Sequence, residues 1–128
     1  MTDSTSEFKS KRGFRRVINA MRYSMDGFKA AWEHEHAFRQ ELLMVIIGTV
    51  IAIALPISSF QRLFLISVLL LVLIVELINS AIEAIVDRIS LERHPLSKRA
   101  KDLGSAAVML AMLIAGASWA LVLFNRFY

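Results

Sequence analysis

The chain lacks cysteine altogether, has only two prolines among its 128 residues, and is poor in charged side chains, at 20%. The absence of cysteine excludes disulfide bonds, thiolate metal sites and cysteine nucleophiles. Soluble domains hold about 25% charged and 45–50% apolar residues, whereas this chain is 56% hydrophobic with a mean hydropathy of +0.55. These values argue against a soluble enzyme, a disordered tail and a nucleic-acid-binding domain, so no nucleic-acid partner is expected. No glycine-rich phosphate loop occurs either.

What the chain does have is three apolar stretches, Leu42 to Ile57, Leu63 to Val86 and Leu103 to Phe124. A bilayer core about 30 Å thick is crossed by roughly 20 helical residues. We therefore predict an all-α membrane protein, with an N-terminal amphipathic surface helix and three transmembrane helices per protomer. The whole chain forms one domain, in which a tail and the interfacial helix occupy residues 1–33 and the spans cover about 36–58, 62–88 and 100–126.

The basic residues indicate the orientation of these spans. Of the 15 lysines and arginines, 13 lie either before the first apolar stretch or between the second and the third. Because basic residues accumulate on the cytoplasmic side of a membrane, these two segments are expected there. The prediction is a multi-pass protein of the cytoplasmic membrane, with its N-terminus in the cytoplasm and its C-terminus on the periplasmic side.

The segment before the first span has the pattern of a basic amphipathic helix. At about 100° per residue, its apolar residues fall within one stripe, and its charged residues take the opposite side. Such a helix suits the cytoplasmic interface of a membrane. Two interpretations stay open: the helix only anchors the protein, or its polar face covers a site beneath it. The apolar stripe consists of Phe14, Val17, Ile18, Met21, Met25, Phe28 and Trp32.

A polar stripe within the second span is the strongest chemical signal. Glu76 and Glu83 are seven residues apart and so differ by only about 20° in direction on a helix. Asn79, Ser80 and Asp87 lie close to the same stripe. A carboxylate near the bilayer centre costs about 2.5 kcal/mol or more, so these acids are expected to face protein. They could be structural and pair with cations of neighbouring helices, but none of the three apolar stretches contains a lysine or arginine, which favours a functional role.

The loop between the second and third spans, residues 92–102, is densely polar. Pro95 breaks the helix, and Ser97 is the predicted N-cap of the third span. Lys98, Arg99 and Lys101 would then occupy the first turns of a helix, where backbone N–H groups favour phosphate. The loop could also be no more than a positive-inside loop. Beside membrane-embedded acids that can bind Mg²⁺, a phosphate site is the more attractive interpretation.

A second group of polar residues, His34, Glu35 and His36, precedes the first span. Neighbouring helical positions diverge by about 100°, so these three side chains cannot all converge on one metal ion. Glu35 is the more interesting member, as an additional oxygen ligand for a cation.

Several of these stretches resemble the small integral-membrane diacylglycerol kinases of bacteria. The resemblance covers nearly everything from Phe14 to the third span, and the Glu-x-x-Asn-Ser-Ala-Ile-Glu stretch from Glu76 is its most specific part, together with Lys-Asp-x-Gly-Ser-Ala from Lys101. The other matching segments are Ala30–Trp32, Glu35, Ala37–Glu41, Asp87–Arg88 and Arg99–Val108.

The resemblance implies a Mg²⁺-dependent phosphotransferase that uses ATP to convert diacylglycerol to phosphatidic acid in phospholipid recycling. It further implies a homotrimer with sites shared between protomers, surrounded by membrane lipids. Glu76 would be the general base and Asn79 would orient the site, while Glu35 and Glu83 would hold Mg²⁺ against the phosphates of ATP. The implied ATP-binding residues are Arg16, Tyr23, Glu35, Glu83, Glu92, Arg93, His94, Lys101 and Asp102. The implied lipid-binding residues are Lys29, Ala30, Ala31, Trp32, Ala37, Phe38, Arg39, Gln40, Glu41, Arg62, Glu76 and Ser105.

Two alternatives accompany this interpretation. A related branch of the family phosphorylates undecaprenol, and the sequence does not separate the two lipid alcohols. A small proton-coupled multidrug transporter would also carry a membrane-buried glutamate, but three spans do not form a simple inverted-repeat pair.

Arg93 departs from relatives that carry an aromatic residue there, which affects the expected adenine contact.

Overall fold

The computed structural model describes residues 4–128, apart from the side chains of residues 4–8 and 10, and it is helical throughout its regular structure. The first three residues of the predicted tail lie outside the described residues. Two units are distinguished, one formed by α1 and the other by residues 35–128. The helices are α1 (Ser4–His34), α2 (His36–Ala54), α3 (Ser59–Ile89) and α4 (Pro95–Phe127).

The three helices of the second unit are each long and apolar enough to cross a bilayer, and each contains an 18-residue segment whose mean hydropathy is 1.8 in α2, 2.6 in α3 and 2.3 in α4. Together with α1, they confirm the predicted all-α class of a multi-pass membrane protein. The α4 helix begins at Pro95, before the start of the span predicted from residue 100.

The predicted N-cap of α4 at Ser97 is wrong. His94 caps the helix, because its Nδ1 accepts a hydrogen bond from the backbone N–H of Leu96 at 3.1 Å. Pro95 is the first helical residue, where its fixed φ suits the helix and its missing N–H is not needed. Proline also disfavours helical backbone at the preceding residue, and His94 is accordingly extended, with φ −130° and ψ 138°.

The α1 helix has the predicted amphipathic pattern, and its apolar side chains are exposed within the described chain. Phe14, Met21 and Met25 are all about two-thirds exposed. Such surface is costly in water, so the exposure is consistent with a helix that lies in a membrane interface.

Within the second unit, α3 packs against both α2 and α4. One face of α3 is buried along its length, and that face changes character halfway. Leu65, Val72 and Leu73 are apolar, whereas Glu76 and Asn79 continue the same face in polar form. This spacing of three or four residues is typical of a buried helix face. The polar stripe predicted from the sequence is thus turned toward protein.

Small residues on α4 allow α3 to approach closely, as is common between membrane helices. Gly104, Ala111 and Ala115 are buried on α4, and the two alanines pack with Val68 and Val72 of α3. Nearer the other end of α3, Trp119 adds a hydrogen bond from its indole Nε1 to the backbone oxygen of Leu65, at 3.2 Å. These contacts fix which face of α4 meets the polar half of α3.

Candidate active site

Four carboxylates, at the start of α2, within α2 and on α3, are linked by repulsion between their charges, and we call them the carboxylate group. Glu41 on α2 and Glu76 on α3 are each only 5% exposed, and their charges interact. Glu76 also interacts with Glu83, two helical turns along α3, and with Glu35 at the start of α2. Like charges gathered in a site of low dielectric constant repel each other strongly. Such a group is stable only if protons, a cation or a polar ligand offset the repulsion.

Asn79 lies between the two acids of the α3 stripe and is 8% exposed. Its Nδ2 donates a hydrogen bond to Glu83 Oε1 at 3.5 Å. Three buried side-chain oxygens, Asn79 Oδ1, Glu41 Oε2 and Ser80 Oγ, find no hydrogen-bond partner among the described residues. Buried polar atoms are normally paired, so unpaired oxygens around a carboxylate group indicate a place that receives a polar ligand.

Gly104 of α4 forms the wall against Asn79. A Cβ atom built on Gly104 would overlap Asn79 Oδ1 and would lie 3.2 Å from Asn79 Cγ. Only glycine therefore permits this approach of α4 to the site without displacing the amide. The predicted lipid-binding residue Ser105 follows Gly104 on α4 and is exposed.

A polar cleft of about 760 Å³ lies at the end of α3 and the beginning of α4. Lys101 Nζ donates a hydrogen bond to Asp87 Oδ1 at 2.7 Å, which joins α4 to α3. Lys98 pairs with Asp102 within α4. The cleft brings together the five predicted nucleotide-binding residues that follow α3 in sequence, Glu92, Arg93, His94, Lys101 and Asp102.

The first turns of α2 hold most of the other predicted residues of this unit. Glu35 is the N-cap of α2, and its side chain makes no capping hydrogen bond. Arg39 and Gln40 both contact the ring of His36, at 3.4 Å and 3.3 Å. Phe38 is 2% exposed and packs inside the protein, while Ala37 is exposed. Of this segment, Glu35 and Glu41 are the residues that join the carboxylate group of α3.

Arg62 is placed elsewhere, at the opposite end of α3. It precedes Glu76 by 14 residues, or about 21 Å of helix. Its guanidinium donates hydrogen bonds to the backbone oxygens of Ala52, Leu55 and Ile57 at 2.9, 3.1 and 3.4 Å. Arg62 thus satisfies carbonyls at the C-terminal end of α2, and the structure does not bring it to the carboxylate group.

We expect the Arg62→Ala variant to lower the free energy of unfolding by about 2 kcal/mol, because carbonyl groups of a helix end lose a charged donor. Unfolding by a denaturing detergent, followed by circular dichroism, measures the change. The turnover of the protein that stays folded should remain within about twofold, since Arg62 lies far from Glu76. A variant of normal stability whose Michaelis constant for lipid is strongly raised would contradict this role and favour direct lipid binding.

The remaining predicted residues belong to the α1 unit. Arg16 and the side chain of Tyr23, which is 69% exposed, lie in its middle. Lys29, Ala30 and Trp32 are exposed in its last turns and Ala31 is buried, and Lys29 Nζ lies 3.9 Å from Glu33 Oε1. The assignment of these residues to ATP and lipid stays a prediction.

The carboxylates present fit a magnesium ion that also binds phosphate. Among the described side chains, no three histidine or acidic residues are grouped as a complete protein-only metal site. Mg²⁺ does not require one, because it is commonly bound by one or two carboxylates together with substrate phosphates and water. Glu35 and Glu83, whose charges both act on Glu76, are donors of this kind.

The sequence alone left three residues of the site without a role. It did not assign Gly104, whose packing on Asn79 depends on how α4 crosses α3. It noted Asp87 on the stripe without giving it a role, and it did not foresee its ion pair with Lys101. The unpaired Ser80 Oγ was also unassigned. A role for Asp87 at the site could have been predicted from the sequence, since it follows Glu83 by four residues on the same helix face.

Sequence comparisons with known proteins identify the family of this chain. Residues 22–123 match the family model described as prokaryotic diacylglycerol kinase. The chain is 52% identical to a protein of Pseudomonas aeruginosa named diacylglycerol kinase, over 94% of this chain and 98% of the relative. It is 51% identical to a protein of the same name from Escherichia coli, over 90% and 94% of the two chains. A diacylglycerol kinase of Haemophilus influenzae is 44% identical, over 88% and 95%. The chain is therefore a member of the prokaryotic diacylglycerol kinase family.

Proposed function

We propose that this chain is a lipid kinase that transfers the γ-phosphoryl group of ATP to the free hydroxyl of diacylglycerol, giving phosphatidic acid and ADP. Its membership of the family and the name shared by its relatives support lipid kinase activity on diacylglycerol. Phospholipid recycling is the proposed use of this activity. The observation that carries the mechanism is the burial of Glu76 on α3, next to Asn79.

Glu76 is the proposed general base. Its carboxylate would accept the proton of the lipid hydroxyl as that oxygen forms a bond to the γ-phosphorus. The bond between the γ-phosphorus and its bridging oxygen breaks, and ADP leaves with that oxygen. A base positioned within hydrogen-bond reach contributes about 10²- to 10⁴-fold to a rate. Asn79 would keep the stripe ordered by its hydrogen bond to Glu83.

The cleft between α3 and α4 is the proposed site of the ATP phosphates. No acidic residue lies in the first turn of α4, and Lys98 and Lys101 project from its first two turns. Cations near a helix N-terminus are unfavourable to the helix itself, so their presence there is better explained by an anionic ligand. Lys101 would contact the phosphates, with Arg93 and His94 nearer the nucleoside.

Mg²⁺ is the proposed metal, with ATP as phosphoryl donor. Glu35 and Glu83 would hold the ion, and it would neutralise negative charge that develops on the transferred phosphoryl group. The residues of the chain would act mainly by positioning the lipid hydroxyl and the ATP phosphates, since phosphoryl transfer needs little covalent chemistry from the protein.

The proposed location is the cytoplasmic membrane, with the cleft on the cytoplasmic side and the C-terminus on the periplasmic side. The five-residue link between α3 and α4 and the adjoining turns hold Arg88, Arg93, Lys98, Arg99 and Lys101, whereas the link between α2 and α3 and its adjoining turns hold only Arg62. This asymmetry supports the orientation.

A homotrimer with sites shared between protomers is proposed as well, and cross-linking in the membrane tests it.

The decisive experiment is transfer of labelled γ-phosphate from ATP to lipid by the purified protein in mixed micelles. Diacylglycerol and undecaprenol are offered side by side, with Mg²⁺ present or removed by a chelator. We expect labelled phosphatidic acid, formed only in the presence of Mg²⁺.

Each other outcome has a clear meaning for the proposal. If undecaprenyl phosphate were the only labelled product, the proposed mechanism would stand and the substrate would be undecaprenol instead of diacylglycerol. Undiminished transfer with the chelator would contradict the metal assignment. An absence of labelled lipid, from protein whose circular dichroism is that of a folded helical chain, would overturn the kinase function. The transporter interpretation would then be tested by proton-coupled uptake.

A further inference from the structure

The cations of α1 are distributed unevenly around the helix. The sequence pattern predicts the charged residues on the side opposite the apolar stripe, but four of the cations border it, within about 60° of Ile18 at one edge of the stripe. The opposite border carries only small residues, among them Gly13, Ala20 and Ser24. One edge of the apolar stripe is therefore predominantly basic, with Glu33 beside Lys29 as its acidic residue, and the other edge is uncharged. The cations of the basic edge are Lys11, Arg15, Arg22 and Lys29.

The basic edge contains a surface groove of about 630 Å³, lined by Lys11, Phe14, Arg15 and Ile18. The two cations are four residues apart, as are the two apolar residues, so each pair forms neighbours on the helix surface. Phe14 is 69% exposed and Ile18 is 45% exposed. The groove therefore offers two positive charges and two apolar side chains side by side.

We propose that this groove is a binding site for an anionic phospholipid. The Lys11 and Arg15 cations would bind the lipid phosphate, and Phe14 and Ile18 would contact the glycerol and the first methylene groups. Arginine matches the geometry of phosphate oxygens especially well. This binding is distinct from transfer of phosphate to a lipid, and it does not depend on the proposed kinase reaction.

A lipid fits this groove better than a soluble anion for two reasons. A free phosphate would leave Phe14 and Ile18 in water, whereas a phospholipid covers them and binds the cations at once. The chain also enters the candidate span α2 at His36, two residues after α1 ends. A basic helix adjoining a membrane span is attracted to anionic headgroups, by roughly a fivefold gain in affinity for each cation near the surface.

The absence of cysteine makes a direct binding measurement simple. An environment-sensitive fluorophore is attached to an Asn19→Cys variant, one helical turn after Arg15, in the full chain in detergent without nucleotide. Dioctanoyl phosphatidylglycerol is the probe and dioctanoyl phosphatidylcholine the neutral comparison. Phosphatidylglycerol is neither substrate nor product of the proposed reaction, so the result is independent of the kinase function. We expect its Kd to be at least about tenfold lower than that of phosphatidylcholine.

Matched double variants then locate the site. Lys11→Gln with Arg15→Gln should raise the Kd for phosphatidylglycerol about tenfold. Lys9→Gln with Arg12→Gln removes the same two residue types from the side away from the apolar stripe and should change it less than twofold. Glutamine preserves helix propensity, so α1 stays helical in both variants.

Three results would overturn the proposal. If both double variants weakened phosphatidylglycerol binding equally, the lipid would be attracted by the overall positive charge of α1 and not by this groove. Equal affinity for the two lipids would mean that the headgroup charge is not recognised. Competition by millimolar inorganic phosphate would mean that the groove binds a free anion and does not need the lipid.

Discussion

The Glu76→Gln variant is expected to lose about 10²- to 10⁴-fold in the rate of phosphate transfer to diacylglycerol, because glutamine cannot accept the hydroxyl proton. The two side chains have nearly the same volume, and Glu76 is packed on the buried face of α3, so the fold should be kept. Nucleotide affinity should change little, since the cleft around Lys101 lies farther along the helices. Single-turnover transfer and ATP binding, measured on the same preparation, separate the two quantities.

Glu33→Gln is the matched control for this experiment. Glu33 lies in α1 with its side chain 52% exposed, and it makes only a long contact to Lys29. An exposed pair of this kind contributes little, so the rate should stay within about twofold of the parent protein. If the Glu76→Gln protein transferred phosphate at the parent rate, the role of general base would have to be given to another residue, and Glu41 would be the next candidate.

The Gly104→Ala variant is expected to lower turnover by about 100-fold while the three-helix unit stays folded. The added methyl group overlaps Asn79 Oδ1, so the amide must rotate or α4 must move away. Either shift disturbs the 3.5 Å hydrogen bond from Asn79 to Glu83, and a misplacement near 1 Å can cost about 10²-fold in rate. The effect should fall mainly on kcat, since the nucleotide cleft lies one turn away.

Gly116→Ala offers the same substitution in the same helix at a place where the new methyl group meets no atom within 4 Å. Its turnover should equal that of the parent protein. Circular dichroism and thermal unfolding of both variants report the cost of overpacking, which is about 1–3 kcal/mol at a filled site. Equal turnover in the two variants would mean that Asn79 adapts without loss and that Gly104 has no positioning role.

Much of the fold follows from local properties of the chain. Three apolar stretches of membrane-spanning length predict three helices, and the 100° periodicity of residues 14–32 predicts α1. The N-cap of α4 was missed for a local reason. Serine is the more frequent N-cap, but Pro95 occupies the first helical position and leaves the cap to His94.

The candidate site also contains residues that the sequence predicts and residues that only the packing of the helices brings together. Helix geometry alone aligns Glu76, Asn79 and Glu83 on one face, and the cost of exposing a carboxylate to lipid turns that face inward. Glu41 could not be assigned to this group from the sequence, because its proximity to Glu76 depends on the packing of α2 against α3. The lipid contact of Arg62 stays a prediction, and its hydrogen bonds to the carbonyls at the end of α2 likewise depend on tertiary packing.

The sequence by itself determined the membrane-spanning helices, the basic interfacial helix and the polar stripe of α3, because each depends on the hydropathy and helical period of one continuous segment. Only the tertiary structure decided which residues meet the stripe. The approach of Gly104 to Asn79 and the ion pair between Lys101 and Asp87 join residues 25 and 14 positions apart. Contacts of this kind depend on how far α4 slides and rotates on α3. The small residues at 104, 111 and 115 set that register through packing between helices, which no single segment encodes.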